Sequence, residues 1–220
     1  MGELKLPFDQ RELESREAAG FWKAIGLVND LSRNKNSAIN LDTLCLIHRT
    51  IFIDVAPEIA GKFRVDGQDT KKLHYITPPP GRLVYGFMVE FGKELEEKIS
   101  SLSPPPKTRK QGTYRKWIHK VVTIAAWAQH KIVWIHPFSN GNGRTARLFT
   151  NLILQNNSLT GSIVKFEQED KAAYLNALAQ IDKVGDYEPL TQIILRAMQE
   201  QYKLIIKIKR NYIKGHKKSH

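Results

Sequence analysis

The sequence predicts a mostly α-helical protein, folded as a single domain with a short β-hairpin flap. Apolar residues recur at helical spacing along most of the chain, and only Val65 to Ile76 has strand character. The length of 220 residues suits one substantial core and is short for two.

The elements follow in order. Gln10 to Leu31 repeats apolar residues at Leu13, Ala18, Phe21, Trp22, Ile25 and Val28, which predicts a first helix. Leu41 to Ile53 predicts a second behind an Asn40 cap. In Val65 to Ile76 the Asp66-Gly67 pair signals a turn and His74-Tyr75-Ile76 favours extended chain, which predicts the flap. The breaker Pro78-Pro79-Pro80-Gly81 precedes a third helix from about Leu83 to Ser101. Tyr114 to Trp134 is apolar enough for a helix buried on most sides. Gly143 to Gln155, Gln168 to Asp182 and Glu188 to about Ile213 complete the set, with Asp186 as a cap and Pro189 in the last helix's first turn. The expected division is an N-terminal helical extension over 1–40, a catalytic body over 41–200 and a basic helix end and tail over 201–220.

The formal net charge of +12 is concentrated in two places. One runs from Lys107 to Lys120 after a proline cluster, and the other from Lys203 to Lys218; neither contains an acid. Outside them acids and bases nearly balance, so the excess reads as solubilising charge on a loop and a tail. Docking on an acidic protein, RNA or a phosphorylated surface is the alternative, and a nucleic-acid partner is not the expected one. The single cysteine, Cys45, excludes an intramolecular disulfide and a multi-thiolate metal site, and its apolar neighbours make it a half-buried helix residue. Neither a signal-peptide core nor an apolar run of membrane-spanning length is apparent, so a soluble cytoplasmic protein without a membrane partner is expected.

Residues 136 to 147 carry the chemistry. A turn through Gly141 and Gly143 can aim backbone N–H groups at an anion at the mouth of the following helix. Arg144 and Arg147, three apart, share a face of that helix's first turn and can grip phosphate oxygens with planar forks that lysine lacks. His136 precedes the turn, directed by Pro137, and its neutral imidazole can take a proton from a hydroxyl. Phe138 serves as an apolar peg that seats the loop. A plain hairpin turn is the bland alternative, but the flanks are helical. The dinucleotide pattern G-x-G-x-x-A is also satisfied, with Glu167 downstream. That reading fails because His136 to Asn140 separate the turn from any strand and the chain lacks alternating strands.

The segment Ile135 to Arg147 resembles the signature of the Fic (Fic/Doc) family, H-x-F-x-[D/E]-G-N-G-R-x-x-R. Similarity continues at His48-Arg49, at Gly61 to Arg64, at Tyr75 to Pro80, and at Tyr174, Gly185-Asp186 and Pro189-Leu190. The resemblance implies a Fic-type helical domain that transfers AMP from ATP to a Ser, Thr or Tyr hydroxyl of a target protein, with Mg²⁺ as cofactor and pyrophosphate as leaving group. It implies that His136 is the base, that Asn142 and the amides of Gly141 and Gly143 hold phosphate oxygens, and that Arg144 and Arg147 bind the β- and γ-phosphates. It also implies that Leu73, His74 and Tyr75 dock the target by strand-like pairing. Asn140 occupies the position where the family usually holds Mg²⁺ with Asp or Glu, so it is expected to be a weak metal ligand. Gly143 favours nucleotidyl transfer, since family members that phosphorylate resemble a version with lysine there.

Alternatives from other classes are a weak nucleotide-binding or regulatory module, transfer of another phosphate-bearing group or removal of AMP, and nucleic-acid binding through the tail. Many family members block their own ATP site with a glutamate in a pattern like [S/T]-x-x-x-E-[G/N]. No glutamate here precedes Gly or Asn, so Ser15 to Gly20 reads as ordinary amphipathic helix, and control is expected from a separate antitoxin-like inhibitor or by other means.

Overall fold

The computed structural model describes residues 9–34, 38–70, 76–107, 111–162 and 168–216. The described residues form helices α1 (Gln10–Arg33), α2 (Leu41–Phe52), α3 (Gly81–Ser100), α4 (Gln111–Ile135), α5 (Asn142–Asn156), α6 (Gln168–Val184) and α7 (Glu188–His216). Each lies where the periodicity placed it, and the caps hold. Asn40 accepts a hydrogen bond from the Thr43 amide at 3.0 Å, and Asp186 accepts one from the Glu188 amide at 2.9 Å.

The core is built around α4, whose Val121, Val122, Ala125, Ala126, Ala128 and Ile132 are all inaccessible to solvent. Three alanines in one turn leave room for neighbours to approach closely. α3, α5 and α7 pack on α4, α6 packs on α7, and α1 crosses both α2 and α5. α1 is built into the core, since its Ala24 and Val28 belong to the same apolar cluster as residues of α2, α4 and α5. The crossing of α1 over α2 depends on Gly20, where an added Cβ would lie only 2.2 Å from the Ile51 carbonyl oxygen. α7 buries Ile194 and Met198, then leaves Tyr202, Leu204, Ile208 and Ile213 exposed beside Lys203, Lys207 and Arg210.

At the expected flap, the Asp66-Gly67 turn is present: the Gln68 amide donates to the Val65 carbonyl at 3.0 Å and Gly67 has φ +78°. The described part of Val65 to Ile76 contains no strand. Leu73, His74 and Tyr75, with the strand pairing expected of them, lie outside the described residues. Among the described residues no helix is long and apolar enough to cross a membrane. Cys45 is half-buried on α2, as expected, and burial pushes its thiol up to about 11.

Candidate active site

α4 ends at Ile135, and the next residue, His136, closes the helix in the left-handed region at φ +52°. Its amide still reaches back to the Ile132 carbonyl at 3.0 Å. A non-glycine residue held there is strained, so the surroundings must impose the turn. The carbonyl of His136 accepts from Arg64 Nε at 2.6 Å, and the Pro137 carbonyl accepts from the Arg64 amide at 2.8 Å. The imidazole is half-buried, and its Nδ1 has no well-formed hydrogen-bond partner. Its pKa lies below the ordinary 6.5, through burial first, with the Val133 carbonyl opposing and Arg64 adding to the fall. A neutral imidazole at pH 7 follows, which is the form that accepts a proton.

The loop after His136 is seated from below. Phe138 is fully buried and stacks on the His48 ring at 3.8 Å between centroids. It is the peg that the sequence indicated. Asn142 closes the loop, accepting from the Phe138 amide at 2.9 Å and donating to the Phe138 carbonyl at 2.7 Å. Its side chain is thus committed to loop shape in this state. Gly141 caps α5 with φ +73°, and a Cβ there would sit 2.2 Å from the Phe52 ring, so only glycine fits. The first-turn amides of α5 have no intrahelical acceptor and carry the positive end of the helix dipole, which makes this terminus suited to an anion.

His48 was visible in the sequence only as part of a resemblance. It is completely buried on α2, with Nδ1 accepting from the Gly61 amide at 2.9 Å and Nε2 3.0 Å from the Asn140 carbonyl. Accepting at Nδ1 places the proton on Nε2, which donates to Asn140. Burial pushes its pKa down to about 4, the bond to Asn140 opposing and the charge of Arg144 contributing. Between pH 6.5 and about 4 the unfolded chain binds a proton that folded His48 refuses. Stability should therefore fall as pH drops through that window, by about 3 kcal/mol from this residue at its foot. His48→Gln should flatten that slope in urea titrations across the window, and an unchanged slope would show that His48 is not the group.

Arg144 and Arg147 stand three apart near the start of α5, with the Arg144 guanidinium 4.9 Å from the centre of the Phe52 ring. The pKa of Arg147 is lowered by burial, with Tyr174 opposing and the neighbouring Arg144 charge adding to the fall. Behind them a buried ladder joins three helices: Thr150 donates to Gln129 at 2.8 Å, and Gln129 donates to the Tyr174 hydroxyl at 3.1 Å. Asn140 is exposed, and its Oδ1 accepts from the Gly141 amide at 2.7 Å. No group of three or more His, Cys, Asp or Glu able to hold a metal occurs among the described residues.

One further residue reaches the site from outside the loop. Glu17 of α1 is no ordinary surface acid: its carboxylate accepts from Arg144 Nη1 at 2.6 Å across 127 positions, with both side chains about three-quarters buried. Gly20, one turn along, sets α1 close enough for this reach. The sequence pattern missed it because Leu13 and Ala18 stand where [S/T] and [G/N] were sought. The geometry needs only a carboxylate on the inward face of α1.

The Fic/DOC family model matches residues 38–154, more than half of the chain. A protein adenylyltransferase Fic of Culex quinquefasciatus is 32% identical over 198 residues, covering 87% of this chain and 34% of that protein. Its counterpart in Nematostella vectensis is 27% identical over 212 residues, covering 94% and 43%. The chain thus spans less than half the length of these relatives. Among solved structures, Fic-1 (residues 134–508) of Caenorhabditis elegans superposes with a TM-score of 0.68 at 22% identity, covering 96% of this chain and 56% of that one, a likeness of fold. By family match, fold and loop geometry together, the chain belongs to the Fic/DOC family.

Proposed function

We propose that this protein transfers AMP from ATP to a Ser, Thr or Tyr hydroxyl of another protein. The observation that carries the reading is the continuous loop that joins a half-buried neutral imidazole, a glycine-capped helix N-terminus and two neighbouring guanidiniums. The family relatives bear the name protein adenylyltransferase. His136 takes the proton of the target hydroxyl as its oxygen attacks the α-phosphorus, and the bond from that phosphorus to the β-phosphate bridging oxygen breaks to release pyrophosphate. The amide of Gly141, once released from Asn140 Oδ1, the amide of Gly143 and the forks of Arg144 and Arg147 hold the phosphates and the charge that develops on the leaving group. Asn142 keeps the loop in shape. Leu73, His74 and Tyr75 would dock the target chain.

Asn140 would hold Mg²⁺ through its neutral Oδ1, which here accepts from the Gly141 amide, and the ion would take its remaining ligands from phosphate and water. When bound, such an ion neutralises phosphate charge. Asn140→Asp should lower the Mg²⁺ concentration that gives half-maximal activity; an equal or higher requirement in a titration would remove Asn140 from the metal site.

Within this reading, residues 1–40 serve as a regulatory element, 41–200 as the catalytic body and 201–220 as a basic appendage, in a cytoplasmic protein. Glu17 occupies the Arg144 guanidinium that the ATP phosphates would need. The chain therefore restrains itself, and a separate antitoxin-like inhibitor is not required for control. Incubation with α-labelled ATP, Mg²⁺ and cell lysate should label a protein, while γ-labelled ATP and a His136→Ala variant should not. ATP binding without transfer of any label would favour the second reading, a nucleotide-binding module weakened by Asn140.

A further inference from the structure

Among the described residues Arg64 is the largest fully buried side chain, 2% exposed, and the hydrogen bonds of its guanidinium go to main-chain carbonyls. Burying a guanidinium is costly unless its donors are used, so their destinations show what the residue is for. One set points to the end of α4. Nε reaches the His136 carbonyl at 2.6 Å, Nη2 reaches the Ile135 carbonyl at 3.1 Å, and the residue's own amide reaches the Pro137 carbonyl at 2.8 Å. Three successive carbonyls around His136 are thus held by one residue, against the negative end of the α4 dipole. The other set points away. Nη2 also donates to the Pro79 carbonyl at 2.6 Å, and Nη1 lies 3.4 Å from the Gln68 carbonyl.

Gln68 and Pro79 bracket the stretch assigned to target docking. The base of that stretch is itself closed, because Asp69 accepts from the Gly81 amide at 2.7 Å. Its two flanks and the turn bearing the base therefore meet on one planar group. We propose that Arg64 is the positioning residue of His136, holding its left-handed turn in place and fixing the distance from the base to the docked hydroxyl. The inference rests on the adenylyltransferase reading above. Lysine carries the same charge but offers one flexible ammonium, which cannot span carbonyls on both sides at once. A misplacement of about 1 Å at a reacting centre is enough to cost about a hundredfold in rate.

The test compares Arg64→Lys and Arg64→Gln in a Glu17→Ala parent. A non-hydrolysable ATP analogue, titrated calorimetrically, gives both affinity and the fraction of folded, binding-competent molecules. Transfer from α-labelled ATP to lysate protein is then expressed per competent site, which removes any loss of folding from the comparison. Both variants should bind the analogue within about threefold of the parent and transfer at least about tenfold more slowly per site. An unchanged rate per site, or a loss accounted for wholly by weaker binding, overturns the inference while leaving the reaction intact. A parent that transfers no label removes the proposed reaction, and the positioning role with it.

Discussion

Replacing His136 by alanine should lower the rate of AMP transfer by about 10²- to 10⁴-fold while ATP binding stays close to the parent value. The expectation follows from how the residue is held. Its left-handed turn and half-buried ring cost stability, which the Arg64 hydrogen bond to its carbonyl offsets in part. What they provide is an unprotonated imidazole in a fixed place. Because burial lowers its pKa, the acid limb of the pH–rate profile should fall below pH 6.5. Steady-state transfer rates across pH, set beside calorimetric ATP titrations, check both points. A variant that loses binding and rate together would mean that His136 supports the loop and performs no proton transfer.

Glu17→Ala should have the opposite effect, raising ATP affinity and transfer by about 10- to 100-fold. The carboxylate lies 2.6 Å from Arg144 Nη1 in a partly buried pair. A charge-assisted hydrogen bond of this kind is worth about 1.5–3 kcal/mol, and an incoming phosphate must displace it before Arg144 can serve ATP. Alanine removes the competitor without disturbing the Gly20 crossing that seats α1. Parallel calorimetric titrations and initial rates of transfer decide the matter. Equal ATP affinity in parent and variant would reduce the Glu17 contact to ordinary helix packing.

These two residues mark what the sequence makes legible. His136, Phe138, Gly141 and the arginines sit within one short stretch, so spacing alone brings them together, and the structure adds geometry to an expectation already formed. The helices were likewise legible, since periodicity and caps act over a few residues: Asn40 and Asp186 cap as their positions suggested. Glu17, His48 and Arg64 act across the fold. Their roles depend on a helix crossing at Gly20, on a ring buried beneath Asn140 and on carbonyls some 70 positions away. No local pattern records such relations. A buried histidine on the apolar face of α2 and a basic residue next to the aromatic of Gly61 to Arg64 were the available signs, and neither fixes a role without the fold. Asn142 carries a relation the motif does not record, since its amide bonds Phe138 in both directions and closes the loop.

On the proposed reaction this loop cleaves ATP between the α- and β-phosphates while joining AMP to protein. Its most direct test is the stoichiometry of the Glu17→Ala protein's reaction, measured as pyrophosphate released against α-label incorporated into protein. The two amounts should be equal, with no incorporation from γ-labelled ATP. Release of inorganic phosphate with γ-label on protein, or pyrophosphate release with all α-label remaining as free AMP, would contradict it.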